Sequence, residues 1–82
     1  MSVYDPLHRK LANTGAHSIR LKFSEVEEIL GRPLPVSAYK FTAWWGNEAA
    51  RKAGHAQAKA WLNAGFSARA SLKNQEVEFY RV

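Results

Sequence analysis

Arg51, Lys52, His55 and Lys59 recur at spacings of three and four within the alanine-rich stretch NEAARKAGHAQAKAWLNAG. On a helix that spacing lines the side chains up as one ridge. Long cations on a helix can contact phosphate oxygens, and a neighbouring Asn63 can hydrogen-bond to base edges. Arg69 and Lys73 follow in a segment that reads as a hairpin, so helix and hairpin together offer a basic surface to nucleic acid, with DNA favoured over RNA. Over the whole chain the formal net charge is +5, but the balance is uneven. Between Ile29 and Gln75 seven basic residues face a single acid, Glu48, whereas the remainder is close to neutral. Such an asymmetry is the footprint of a polyanion binder. Its competing explanation is ordinary: an alanine-rich surface helix needs charge to stay in solution.

Catalytic constellations are sparse. His8, His17 and His55 fall in different elements and none pairs at an i, i+4 metal spacing, so they read as surface histidines and no metal site is expected. Asp5 is best used as a helix cap, and Glu25, Glu27 and Glu28 belong to one helix start. Glu76 and Glu78 alternate with Val77 and Phe79, which makes EVE the solvated face of a strand rather than a pair of metal-binding carboxylates. No phosphate-binding glycine loop, G-x-S-x-G or H-E-x-x-H occurs. The absence of cysteine excludes disulfides and thiolate chemistry. The expectation is a non-enzymatic chain without cofactor.

The elements that must carry the basic surface can be read from local patterns. Eighty-two residues, 46% of them hydrophobic, suffice for one domain over residues 1–82. In YDPLHRKLANTG, Asp5 and Pro6 open a short helix with Leu7 and Leu11 on one face, and Gly15 follows as a stop. SIRLKF alternates as a half-buried strand over Ile19–Phe23 with a basic outer face. SEVEEILG places Ser24 and Glu27 as a capping box, with Gly31 as a left-handed C-cap before RPLP. Ser37 can cap a further short helix through Tyr39 and Phe41. A last helix precedes Gly65, weakened at Gly54, with Ala58, Trp61 and Leu62 inward. FSARASL and EVEFYRV then form a hairpin around KNQ. The pattern predicts a small α+β fold of winged-helix-like order, with three helices and a three-stranded antiparallel sheet. A generic α+β domain with its sheet covered by helices is the alternative.

The segments FSEVEEILGRPLPVSA, WWGN, HAQAKAWLNAGF and VEFYR together resemble a family of small bacterial and phage domains of unknown function. The shared pattern is LGR-x-LP, then a paired tryptophan followed by Asn, then A-W-L-x-A-G and a closing strand, from about Tyr4 to Arg81. The resemblance implies a common fold and no catalytic residue. One departure is NEAARKAGHA, longer than the pattern expects.

The pair Trp44–Trp45 poses its own question, because adjacent side chains diverge and one core cannot easily receive both. We expect Trp45 to join Trp61, Leu30 and Phe79 in the core and Trp44 to stay partly exposed. Exposed aromatic residues support a second reading, a protein-interaction module such as a phage or mobile-element regulator or inhibitor, or a homodimer. Its anchors would be Tyr39, Phe41, Trp44 and Tyr80. The N-terminus has no apolar signal-type region and no apolar run approaches a membrane span, so a cytoplasmic protein without membrane contact is expected.

Overall fold

The computed structural model describes residues 3–46 and 56–82. Among them the chain forms α1 (Asp5–Asn13), β1 (Ser18–Lys22), α2 (Phe23–Leu30), α3 (Val36–Lys40) and a 3-10 turn (Thr42–Trp45). It closes with α4 (Ala56–Leu62), β2 (Phe66–Ser71) and β3 (Glu76–Arg81). The fold is α+β, with four α-helices among the described residues against the three of the predicted winged-helix-like order. The fourth is the short helix that the sequence placed after the proline-rich turn, near Ser37. Pro35, with extended ψ, precedes Val36, and α3 ends at Phe41, so α3 and the tryptophan turn are separate pieces.

The sheet is antiparallel throughout, in the order β1-β3-β2. Its inner face carries Leu21, Ala68, Val77 and Phe79, all buried under the helices. Here the period-two pattern holds in register, with Ile19 opposite Phe79 and Leu21 opposite Val77. The turn Leu72–Gln75 joins the hairpin, and Asn74 N–H donates to Ser71 Oγ at 3.3 Å. Gln75 takes a left-handed φ of 51°, which is the strained point of this turn. β1 stays paired to β3 as far as Lys22 opposite Glu76, the last pair before the turn. The hairpin therefore ends level with β1 instead of projecting beyond the sheet.

Several caps differ from the sequence expectation, most plainly where β1 passes into α2 without a loop. β1 runs straight into α2, because Phe23 N–H donates to Gln75 O at 2.8 Å while the Phe23 ring is already buried. Lys22 becomes the N-cap, and its N–H donates to Glu25 Oε1 at 2.8 Å. The expected Ser24–Glu27 box is thus displaced two residues toward the N-terminus. Asp5 is the first helical residue of α1 rather than its cap, a role taken by Tyr4, and it still places a carboxylate at the positive helix end. Thr14, not Gly15, closes α1, and Pro35 rather than Ser37 precedes α3. Gly31 does serve as the left-handed C-cap of α2, at φ 74°.

The core is aromatic. Trp45 is sandwiched between Phe23 (centroids 4.9 Å, planes 19° apart) and Trp61 (5.9 Å, 22°), and Trp61 leans on Phe79 at 5.5 Å. Burying an indole strands its N–H unless a partner is found. Trp45 Nε1–H donates to Ala38 O at 3.0 Å, which ties the tryptophan turn to α3. Arg81 closes the other end: its guanidinium donates to Thr14 O (2.8 Å) and Ala16 O (3.1 Å) and lies over the Phe66 ring.

Candidate functional site

The basic ridge is seen only in part. Arg51, Lys52 and His55 lie outside the described residues, as do the start of the predicted helix and Gly54. Within α4, Lys59 is exposed, and Asn63 beyond its last turn is exposed as well. Their neighbours are not: Ala58, Ala60 and Trp61 are buried against the sheet and α1. Gln57 is buried as well, and its Nε2 donates to Trp44 O at 3.5 Å. The described turns of α4 thus turn a narrow strip outward, because the helix is wedged between the sheet and α1. His8 contributes to that wedge. Read from sequence as a surface residue, it is half-buried, with Nδ1 3.0 Å from Ala60 O. A carbonyl only accepts, so this contact requires the proton on Nδ1.

Arg69 and Lys73 are both exposed but occupy different places. Lys73 is in the hairpin turn, whereas Arg69 is mid-strand, opposite Glu78. The Arg69 guanidinium approaches Glu78 Oε1 at 3.8 Å and lies 5.0 Å from the centroid of the Tyr80 ring. The register adds two cations that the sequence argument left out of the site. Arg20 stands opposite Glu78 from the other side, and Lys22 opposite Glu76. The only sequence signal for them was the alternation in SIRLKF. It gave the basic outer face of one strand, but pairing partners cannot be read from a single strand.

The four proposed partner anchors also separate. Tyr39 is half-buried, edge-on to Phe23 at 5.3 Å, with its hydroxyl donating to Glu27 Oε2 at 2.8 Å. Burial and the neighbouring Glu27 carboxylate raise the Tyr39 phenol above its ordinary value of 10.0. The same Glu27 oxygen accepts from Leu34 N–H at 2.7 Å, so this carboxylate holds the proline-rich turn and α3 in place. Trp44 is half-buried and packs edge-on against Trp45 (4.7 Å) and against Tyr4 (6.1 Å). Tyr80 lies on the outer sheet face. Phe41 alone is largely open, 59% exposed, with Val36 at the other end of α3 at 66%.

Two open hollows accompany these features. One lies between α1 and the end of α2, lined by Arg9, Lys10, Asn13 and Ile29 among others. The second is a dish on the outer sheet face, bounded by Arg20, Arg69, Asn74, Glu76 and Glu78, of about 300 Å³. Among the described residues, no group of three or more metal-binding side chains occurs, and no helix is long and apolar enough to cross a membrane.

Fold and surface together define a small α+β domain with a three-stranded antiparallel sheet, helices on one face and charged side chains on the other. The chain belongs to a family described as a domain of unknown function, DUF7662, whose model matches residues 4–82. That agrees with the resemblance noted in the sequence. No curated protein and no solved structure matches the chain.

Proposed function

We propose that this domain is a non-enzymatic nucleic-acid-binding or regulatory module of winged-helix-like order, with DNA favoured as the partner. The observation that supports this most is topological. A helix runs directly into a β2–β3 hairpin whose third strand, β1, pairs on the β3 side, in the order β1-β3-β2. A winged helix has this order, and its helix before the hairpin meets the nucleic acid. Because most of α4 is wedged into the core, contact would run along its outer strip at Lys59 and Asn63, with Lys73 in the turn. Basic contacts of this kind position a duplex by its phosphates.

The test is a duplex-DNA gel shift with Lys52→Glu plus Lys59→Glu. Shift by the parent chain, lost in the double variant and weakening steeply with salt, supports the reading. Unchanged binding by the variant removes this helix from it.

One observation favours a second reading as a protein-interaction module: Val36 and Phe41 stay exposed on either side of α3. Light scattering coupled to size-exclusion chromatography separates the two. A dimer indifferent to DNA, disrupted by Phe41→Ser, supports the interaction module.

A further inference from the structure

The outer face of the sheet carries three cross-strand rows. From the hairpin end they are Lys22–Glu76–Ser71, Arg20–Glu78–Arg69 and Ser18–Tyr80–Ser67. A half-buried aromatic ring therefore stands on the central strand, with serines opposite it on both sides, Ser18 exposed and Ser67 buried, and a guanidinium reaches it from the next row at 5.0 Å. We propose that this outer sheet face binds single-stranded nucleic acid, stacking a base on Tyr80 beside Arg69 while Arg20, Lys22 and Lys73 take the phosphates. The proposal rests on the nucleic-acid reading above but uses a different surface, across the sheet from α4.

Three physical features favour a single strand here. An aromatic face on a central strand can stack only on a base whose own face is free, and a duplex keeps its bases inside the helical stack. The hairpin ends level with β1, so the sheet offers a short platform instead of a projecting arm. Three rows at two residues apiece extend about 14 Å along the strands, enough for a short run of extended backbone.

Glu76 and Glu78 work against this reading only on first inspection. Each sits on the middle strand opposite a cation, so the acids space the cations along the two outer strands. The Arg69–Glu78 approach of 3.8 Å is too long for a hydrogen bond, and the Arg69 side chain is 72% exposed. An exposed pair of that kind holds its partners weakly. The Arg69 guanidinium can therefore leave Glu78 for a base stacked on Tyr80, while Arg20, Lys22 and Lys73 meet the phosphates. Three cations against two acids leave the face net positive, with Lys73 in the adjoining turn adding to it, complementary to a polyanion. Arg guanidinium and Tyr rings are also the pair of side chains on which unpaired bases stack without regard to sequence.

The test uses the full chain with fluorescein-labelled oligothymidylate of about 12 nucleotides, beside a duplex of the same length. Fluorescence anisotropy gives affinity, and amide shifts in a ¹⁵N-labelled sample give the surface. The expected result is preference for the single strand, with shifts concentrated at residues 18–22, 69–73 and 76–80. Tyr80→Leu should weaken binding about tenfold, and Arg20→Gln with Arg69→Gln should weaken it at least as much. If three or four phosphates are met, log affinity should fall against log salt with a slope of about −2 to −3. Should Tyr80→Leu fail to fold, the exposed Arg20 and Arg69 variants decide alone. Binding of either probe with shifts confined to residues 59–63 overturns the sheet-face proposal and leaves the α4 reading standing. Single-strand binding on the sheet face without duplex binding supports this proposal and removes the α4 reading. Binding of neither probe overturns both.

Discussion

The aromatic core around Trp45 and the outer sheet face around Tyr80 use similar side chains under opposite conditions. In and around the core, buried and half-buried polar groups have close partners: Trp45 Nε1–H with Ala38 O, Tyr39 hydroxyl and Leu34 N–H with Glu27. On the sheet face, Tyr80 has a guanidinium at 5.0 Å and Arg69 a carboxylate at 3.8 Å, both loose contacts open to water. Buried groups lose their hydration and must be paired internally, whereas exposed charges keep water as an alternative. The core therefore accounts for stability, and the sheet face keeps groups that can be redirected to a ligand at little cost to the fold.

The largest expected break in this contrast is Trp45→Ala, which removes the ring between Phe23 and Trp61. It should cost about 3–5 kcal/mol in urea unfolding, enough to leave so small a domain partly unfolded. Next is Glu27→Ala, which strips two donors of their acceptor and loosens α3 from α2. Roughly 2 kcal/mol is expected, again by urea unfolding.

Tyr39→Phe should cost less, about 1 kcal/mol, because Glu27 keeps Leu34 N–H. It carries a pH signature as well. The folded phenol holds its proton more tightly than the unfolded one, so its contribution is fully present below pH 10 and is lost as pH rises through the raised folded value. A thermal-unfolding series in alkali should fall less steeply for Tyr39→Phe than for the parent; identical slopes would remove Tyr39 from the account.

The smallest effects belong to the sheet face. Arg20→Gln and Arg69→Gln should each change stability by no more than about 0.5 kcal/mol. A loss comparable to Glu27→Ala would show that these arginines serve the fold, and the contrast between the two regions would fail.

Much of the fold was legible locally. Alternation in SIRLKF and EVEFYRV gave the strands and their inner faces, and Gly31 marked the end of α2 because only a left-handed residue closes that helix cheaply. Caps were less legible. Ser24 and Glu27 have the right spacing for a capping box, but Phe23 is drawn into the core and hydrogen-bonded to Gln75, which starts the helix earlier. Glu27 was thereby released to bind Tyr39 and Leu34, a role no spacing rule announces. The candidate site was read along one helix, where i, i+3 and i, i+4 neighbours are visible in a linear string. Arg20 and Lys22 escaped because their neighbours are more than forty residues away in the chain.

Sequence alone determined that this chain is of the α+β class, uses no cysteine chemistry, and concentrates its net positive charge between Ile29 and Gln75. Period-two and helical patterns suffice for that, since they report which side of each element avoids water. The tertiary structure decided which tryptophan is enclosed, how little of α4 faces outward, and which charges meet across the sheet. These depend on register and on the packing of distant elements, and both are set when the strands pair and the helices close over them.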